Sequence, residues 1–185
     1  MEYIVILVLI GIIYYFFNYT PRLKGRDLQT IKGDMGEVQV NQVLSELNVQ
    51  DYHFLSNIII KKPDGSSSQI DHLIVSKYGI FVIETKNYSG VIIGNENDYK
   101  WLQIFNKFKK FRFYNPIIQN NGHIEALKQI LPNYIDSIYH SIIVFIGDAN
   151  IDNLYIKTPV VPIERLLQTI HDKSISILDE NEVSN

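Results

Sequence analysis

The chain has 185 residues, no cysteine and a formal net charge of −3, with 46% hydrophobic and 20% charged residues. That length supports one domain with a substantial core and is short for two, and the composition excludes wholesale disorder. There is no global basic field, so a nucleic-acid site must be a local patch. The lack of cysteine rules out a disulfide scaffold, a thiolate zinc site and a cysteine nucleophile.

Residues Tyr3 to Phe17 carry no charge and no strongly polar side chain. As a helix with its flanks, this stretch covers roughly 25 Å, slightly under a hydrocarbon core of ~30 Å, and Tyr14, Tyr15 and Tyr19 suit an interfacial belt. A cleaved signal peptide is disfavoured by Glu2 and by the lack of a small-x-small site. A buried core helix stays open, although one apolar on every face is hard to house in a small domain. The expectation is a membrane anchor over 1–19 with a basic linker over 20–31. Arg22, Lys24, Arg26 and Lys32 all follow the apolar stretch, which places the remainder in the cytoplasm. The domain proper is expected over 32–171, with a tail over 172–185.

Thr30 is a candidate N-cap for a helix to about Asn48. Gly33, Gly36, Val40, Val43, Leu44 and Leu47 share one face, and the glycines would let the helix lie close to a sheet. Glu37 falls on that face too. It either meets a partner there or reaches solvent from the edge of the stripe. A strand over Tyr52 to Ile60 ends at Pro63-Asp64-Gly65-Ser66. Gln69 to Val75 and Ile80 to Lys86 read as a hairpin around Ser76-Lys77-Tyr78-Gly79. Val91 to Ile93 is a short strand. Asn115-Pro116 opens a helix to about Leu131, Ser141 to Ile146 is a buried strand, Val160-Val161 a last strand and Ile163 to His171 a last helix.

With a two-residue loop at Lys77-Tyr78, Asp71 faces Glu84 and Gln69 faces Lys86 on one side of the hairpin. A slip of one residue would split this set between the faces. Two carboxylates at about 5 Å repel by ~3 kcal/mol at an effective dielectric near 20. Either one is protonated or a cation lies between them, and oxygen ligands of this kind suit Mg²⁺ or Mn²⁺. Lys86 would then hold an attacking water or neutralise charge on a phosphoryl oxygen. The bland alternative is a solvated face of benign ion pairs, against which stand the apolar surroundings Ile70 to Val75 and Ile80 to Ile83.

Gly36-Glu37, Gln69-Ile70-Asp71-His72, Gly79 to Asn87 with its Glu84-Thr85-Lys86, Gly90, Trp101 and Asn115-Pro116 with Gln119 resemble the nuclease-related domain, NERD. That family belongs to the PD-(D/E)XK nuclease-like superfamily. The resemblance runs from about Lys32 to about Ile170 and implies an α/β fold of restriction-endonuclease type, a mixed central sheet flanked by helices, here preceded by one transmembrane helix. It also implies a metal-dependent phosphodiesterase site. By position, Asp71 and Glu84 match the metal ligands, Lys86 the catalytic lysine, and Glu37 the helix-borne acid. Gln69 and Gln119 match further polar positions. An N-terminal membrane segment also occurs in this family.

Lys107-Phe108-Lys109-Lys110-Phe111-Arg112-Phe113 interleaves cations with aromatics. Lys107, Lys109, Lys110 and Arg112 would touch phosphates while the rings stack on unpaired bases, or the segment is an amphipathic strand with its rings turned inward. His72 alternates to the face opposite Asp71 and reads as structural; His123, one helical turn past Gln119, either lines the same cleft or, as the preferred reading, is a surface residue. No phosphate-binding loop and no nucleophile elbow is present.

The expected function is an Mg²⁺- or Mn²⁺-dependent nuclease hydrolysing phosphodiester bonds, DNA ahead of RNA, tethered as a single-pass protein to the cytoplasmic face of a membrane. A homodimer would serve the cutting of two strands. The alternative is a catalytically silent nucleic-acid- or protein-binding module of the same fold.

Overall fold

The computed structural model describes residues 28–62, 64–131 and 136–173. The expected anchor, most of the linker and most of the tail lie outside the described residues, and among the described residues no helix is long and apolar enough to cross a membrane.

The chain opens with helix α1 (Leu28–Leu44), so Thr30 lies within the helix instead of capping it. Strands β1 (Tyr52–Lys61), β2 (Ser67–Ser76) and β3 (Gly79–Asn87) follow, then β4 (Gly90–Asn95), β5 (Lys100–Ile104) and β6 (Lys110–Tyr114). Helix α2 (Pro116–Ile130) precedes β7 (Tyr139–Ile146), β8 (Ala149–Tyr155) and β9 (Val160–Pro162). A 3₁₀ turn and a third helix, α3 over 166–173, complete the described chain. Strands β1, β2, β3, β7 and β9 form a mixed sheet in that order, antiparallel as far as β3 and parallel beyond it. A second mixed sheet has the order β6-β5-β4-β8.

The first sheet is covered on both faces, which explains its nearly continuous apolar strands. On one face Val40 and Leu44 of α1, with Leu166 and Ile170, pack on Phe81 and Ile142. On the other, Ile124 and Leu127 of α2 pack on Leu73, Val75 and Val82. Of the two glycines in α1, only Gly36 makes a close approach: a Cβ there would meet Asn87 Cβ at 3.2 Å and Ile146 Cδ1 at 3.3 Å. Gly33 faces open space. Asn87 also donates to the Lys32 carbonyl at 2.9 Å, fixing the start of α1 over the C-terminal end of β3.

The two sheets share a ribbon. Strands β3 and β7 run side by side to Asn87 and Ile146, and the pairing continues as β4 beside β8. Tyr88 N–H donates to Ile146 O at 3.2 Å and Gly90 N–H to Asp148 O at 3.1 Å across the bend. Gly147 turns there with φ 84°, where an added Cβ would lie 2.9 Å from the Tyr88 carbonyl. Ile92, Trp101, Ile117, Ile143 and Phe145 fill the angle between the sheets. Buried Asn115 caps α2 by accepting from Ile117 N–H at 2.9 Å and donates to Glu96 O at 2.9 Å and Asp98 O at 2.7 Å, so one side chain joins the small sheet to the helix.

Strand β8 was not foreseen: its Asn- and Asp-rich sequence is mostly exposed and its short apolar alternation breaks at Asp152-Asn153. Nor do the rings of the basic-aromatic segment all turn inward, because Phe108 is 87% and Phe111 52% exposed while only Phe113 is half-buried against Tyr88 and Trp101.

Candidate active site

The hairpin register is the one expected from a two-residue loop: Ser76 pairs with Gly79 and the ladder runs to His72 opposite Ile83. It stops one step short of Asp71 and Glu84. On the other side, Asn57 and Asp71 drop out of the β1–β2 ladder between Ser56–His72 and Ile58–Ile70. Asn57 takes a positive φ of 57°, a conformation asparagine tolerates better than most residues. Strand β2 thus opens on both edges at Asp71. Ile70 and Leu73, three apart, both enter the core under α2, so strict alternation slips there.

At this opening Asp71 Oδ2 accepts from the Thr85 backbone N–H at 2.8 Å. Glu84 is almost fully buried, and each oxygen has a partner. Lys86 Nζ reaches Oε1 at 2.6 Å, and His123 Nε2 reaches Oε2 at 3.1 Å. Lys86 donates as well to Gln119 Oε1 at 3.0 Å. His123 Nδ1 lies 2.6 Å from Ser68 Oγ. An ionised Glu84 can only accept, so Nε2 carries the ring proton, and in the neutral ring Nδ1 accepts from the Ser68 hydroxyl. Ser68–His123–Glu84–Lys86–Gln119 is therefore one continuous network joining β2, β3 and α2.

Electrostatics ties three carboxylates together. Burial pushes Asp71 up to about 8, the Glu84 charge adds to this, and Glu37 contributes a little more, against the pull of Thr85 N–H and Lys86. Half-buried Glu37 is raised by burial, then by Asp34 and Glu84. For Lys86 burial opposes the charge, but Glu84 overcomes it and holds the ammonium above its ordinary value. His72 is pressed down to about 4 by burial. Its Nε2 meets Glu37 O at 3.3 Å and its Nδ1 the Thr85 hydroxyl at 3.4 Å, on the α1 side as alternation required.

Asp71, Glu84, Lys86 and Gln119 thus come together, with Glu37 coupled to them through its charge. Gln69 does not join them. Its side chain is exposed and donates to Asn57 Oδ1 at 2.9 Å instead of facing Lys86, because the opening at Asp71 turns this end of β2 away from β3. His123, expected on the surface, is 8% exposed and holds Glu84. The signal for it was its spacing, one helical turn beyond Gln119 on α2. Lys107, Lys109, Lys110 and Arg112 lie on the exposed β5–β6 hairpin, apart from the carboxylates, and among the described residues none pairs with an acidic side chain.

Among the described residues no group of three or more His, Asp and Glu side chains converges as a ready metal cage. The donor chemistry nevertheless fits a hard divalent cation. Asp71 is forced toward its neutral form first by burial and then by the charge of Glu84, with Lys86 as the local counter-charge, and two carboxylates completed by water are an ordinary Mg²⁺ ligand set. Lys86 and His123 each hold one of the two Glu84 oxygens, so Glu84 would exchange one of these partners on taking an ion.

Residues 32–146 match the family model described as "Nuclease-related domain". An uncharacterized protein of Bacillus anthracis is 40% identical over 108 residues, which are 58% of this chain and 50% of that protein. The chain therefore spans about half the length of this relative. No solved structure matches the chain. A family match over more than half its length, on an α/β fold carrying Asp71, Glu84 and Lys86 at one opening with Glu37 coupled by charge, establishes that the chain belongs to the nuclease-related domain family.

Proposed function

We propose that this protein is a metal-dependent nuclease that hydrolyses nucleic-acid phosphodiester bonds, DNA ahead of RNA, at the opening between β2 and β3. The observation that supports it is the convergence of Asp71, Glu84 and Lys86 at a point where burial and like charge hold Asp71 near 8. Asp71 and Glu84, with Glu37 beside them, would hold Mg²⁺ or Mn²⁺, which supplies charge neutralisation at the scissile phosphate and acidifies a water. Lys86 then turns its ammonium toward the attacking oxygen or a phosphoryl oxygen. Gln119 keeps that ammonium within reach as it leaves Glu84, and His123 keeps Glu84 in one rotamer. Anchoring through residues 3–17 on the cytoplasmic face of a membrane belongs to the same reading.

The test is cleavage of single- and double-stranded DNA and RNA by the full chain in detergent, with Mg²⁺ or Mn²⁺ and with EDTA. Metal-dependent cleavage that disappears in Lys86→Ala and Asp71→Ala, each shown to be folded, is the expected result. A second reading, a silent binding module, draws on the Lys86–Glu84 pair, which satisfies the site without a metal. It predicts no cleavage and no calorimetric Mn²⁺ site even with oligonucleotide present.

A further inference from the structure

Beyond Lys86 a cleft of about 550 Å³ runs from Thr85 and Lys86, past the start of α1, to the β5–β6 hairpin. This volume lies within the ~300–1,000 Å³ range of small-ligand sites. Its charged lining is wholly cationic, comprising Lys32, Lys86, Lys109 and Arg112. Its far wall carries Phe105 and Phe111, 40% and 52% exposed, set edge to face at 5.8 Å. Lys109 Nζ stands 5.0 Å from the Phe105 ring centre and 5.7 Å from that of Phe111. Exposed ring faces cost the free protein apolar hydration, and Lys109 and Arg112 pair with no acidic side chain among the described residues. Together in a concave site they match a ligand that offers both a π-face and a negative charge.

Resting on the nuclease reading, we propose that this cleft binds an unpaired stretch of the substrate strand, a base stacking on Phe105 and Phe111 and its phosphates running along Arg112 and Lys109 toward Lys86. A duplex offers phosphates and base edges while its base faces are stacked on one another, so it leaves these rings unused. A strand with free bases uses the rings and cations together. Lys109 sits on a flexible stem and moves from ring to phosphate as the base enters. A bilayer surface also attracts basic-aromatic hairpins, but it is flat, and it would leave the concave link to Lys86 without purpose.

The experiment uses the full chain in phosphatidylcholine nanodiscs, in EDTA so that nothing is cleaved. Fluorescence anisotropy measures binding to an oligothymidylate of about 15 residues and to a duplex of the same length. The expected result is at least tenfold preference for the single strand, with affinity falling ten- to a hundredfold in Phe111→Ala and returning in Phe111→Trp. Phe105→Ala is the second variant should Phe111→Ala not fold. Equal affinity for the duplex, or no loss in a folded ring variant, overturns the proposal. So does ring-dependent cosedimentation with phosphatidylcholine–phosphatidylserine vesicles while oligonucleotide binding is unchanged. Single-strand binding without metal-dependent cleavage would keep the cleft and overturn the nuclease. Duplex cleavage indifferent to Phe111 would do the reverse.

Discussion

Replacing Asp71 with Asn should stabilise the metal-free protein. With its folded value pushed up to about 8 from an unfolded 3.8, Asp71 favours protonation in the fold. An acid raised in this way leaves stability intact below its unfolded pKa and erodes it as pH climbs from 3.8 through 8. At pH 7 the cost is about 4 kcal/mol, since each of the roughly three units above 3.8 contributes ~1.36 kcal/mol. Asparagine keeps the acceptor for Thr85 N–H and carries no charge. Asp71→Asn should therefore melt about 10 °C above wild type at pH 8 in EDTA, at ~2–4 °C per kcal/mol for a chain of this size, and converge with it near pH 4. His72, depressed to about 4, costs stability below pH 6.5 in both proteins and cancels in the comparison. The assay is thermal unfolding of the full chain in detergent followed through Trp101, the single tryptophan and fully buried. Saturating Mg²⁺ should raise the melting temperature of wild type and leave the variant unmoved. A variant less stable than wild type at pH 8 would show Asp71 ionised and held by Thr85 and Lys86, and the cation argument would fall with it.

Lys86→Ala strips Glu84 of the ammonium at 2.6 Å and should cost about 3 kcal/mol by chemical denaturation, as losing one member of a buried pair does. The double variant Lys86→Met/Glu84→Gln should recover most of that stability while remaining without cleavage. His123→Ala leaves Glu84 Oε2 and Ser68 without their partner. It should cost ~2 kcal/mol and weaken calorimetric Mn²⁺ binding by about 10–100-fold. Asn115→Ala removes a helix cap and orphans the Glu96 and Asp98 carbonyls. A loss near 3 kcal/mol is expected, with cleavage unchanged below the melting range.

The hairpin register was legible because Gly79 and a two-residue loop leave one natural pairing, and that register brings Asp71 and Glu84 to neighbouring positions. Gln119 came from the family resemblance, which pairs it with Asn115-Pro116. What local pattern missed depends on distant chain: the opening at Asp71 needs the positive φ of Asn57 on another strand, and this opening is what turns Gln69 away. The burial of His123 depends on Glu84, 39 residues earlier. Strand β8 is held by its parallel partner β4 and by Ile151 and Leu154 reaching the third core cluster, a pattern too sparse to read as a strand. Phe108 lies in the loop between β5 and β6 and Phe111 on the edge strand β6, and alternation alone does not reveal that their rings stay exposed.

The bent ribbon of β3–β4 beside β7–β8 has a consequence for how the chain acquires its structure. The antiparallel strands β1 to β3 and the hairpin β5–β6 close over short loops, and form early for that reason. The joining of β3 to β7 must close a loop of some sixty residues, from Ile83 to Ile142 at its centre, and loop entropy is spent before such pairings return anything. Until then β3 is an apolar edge, open to the wrong partner. A chain ending before Tyr139 should leave the β3 amides that bond to β7 without hydrogen-exchange protection, while those bonded to β2 keep theirs. Glu84 and Lys86 sit on that edge strand, so their backbone is fixed on both sides only after β7 has left the ribosome and paired with β3.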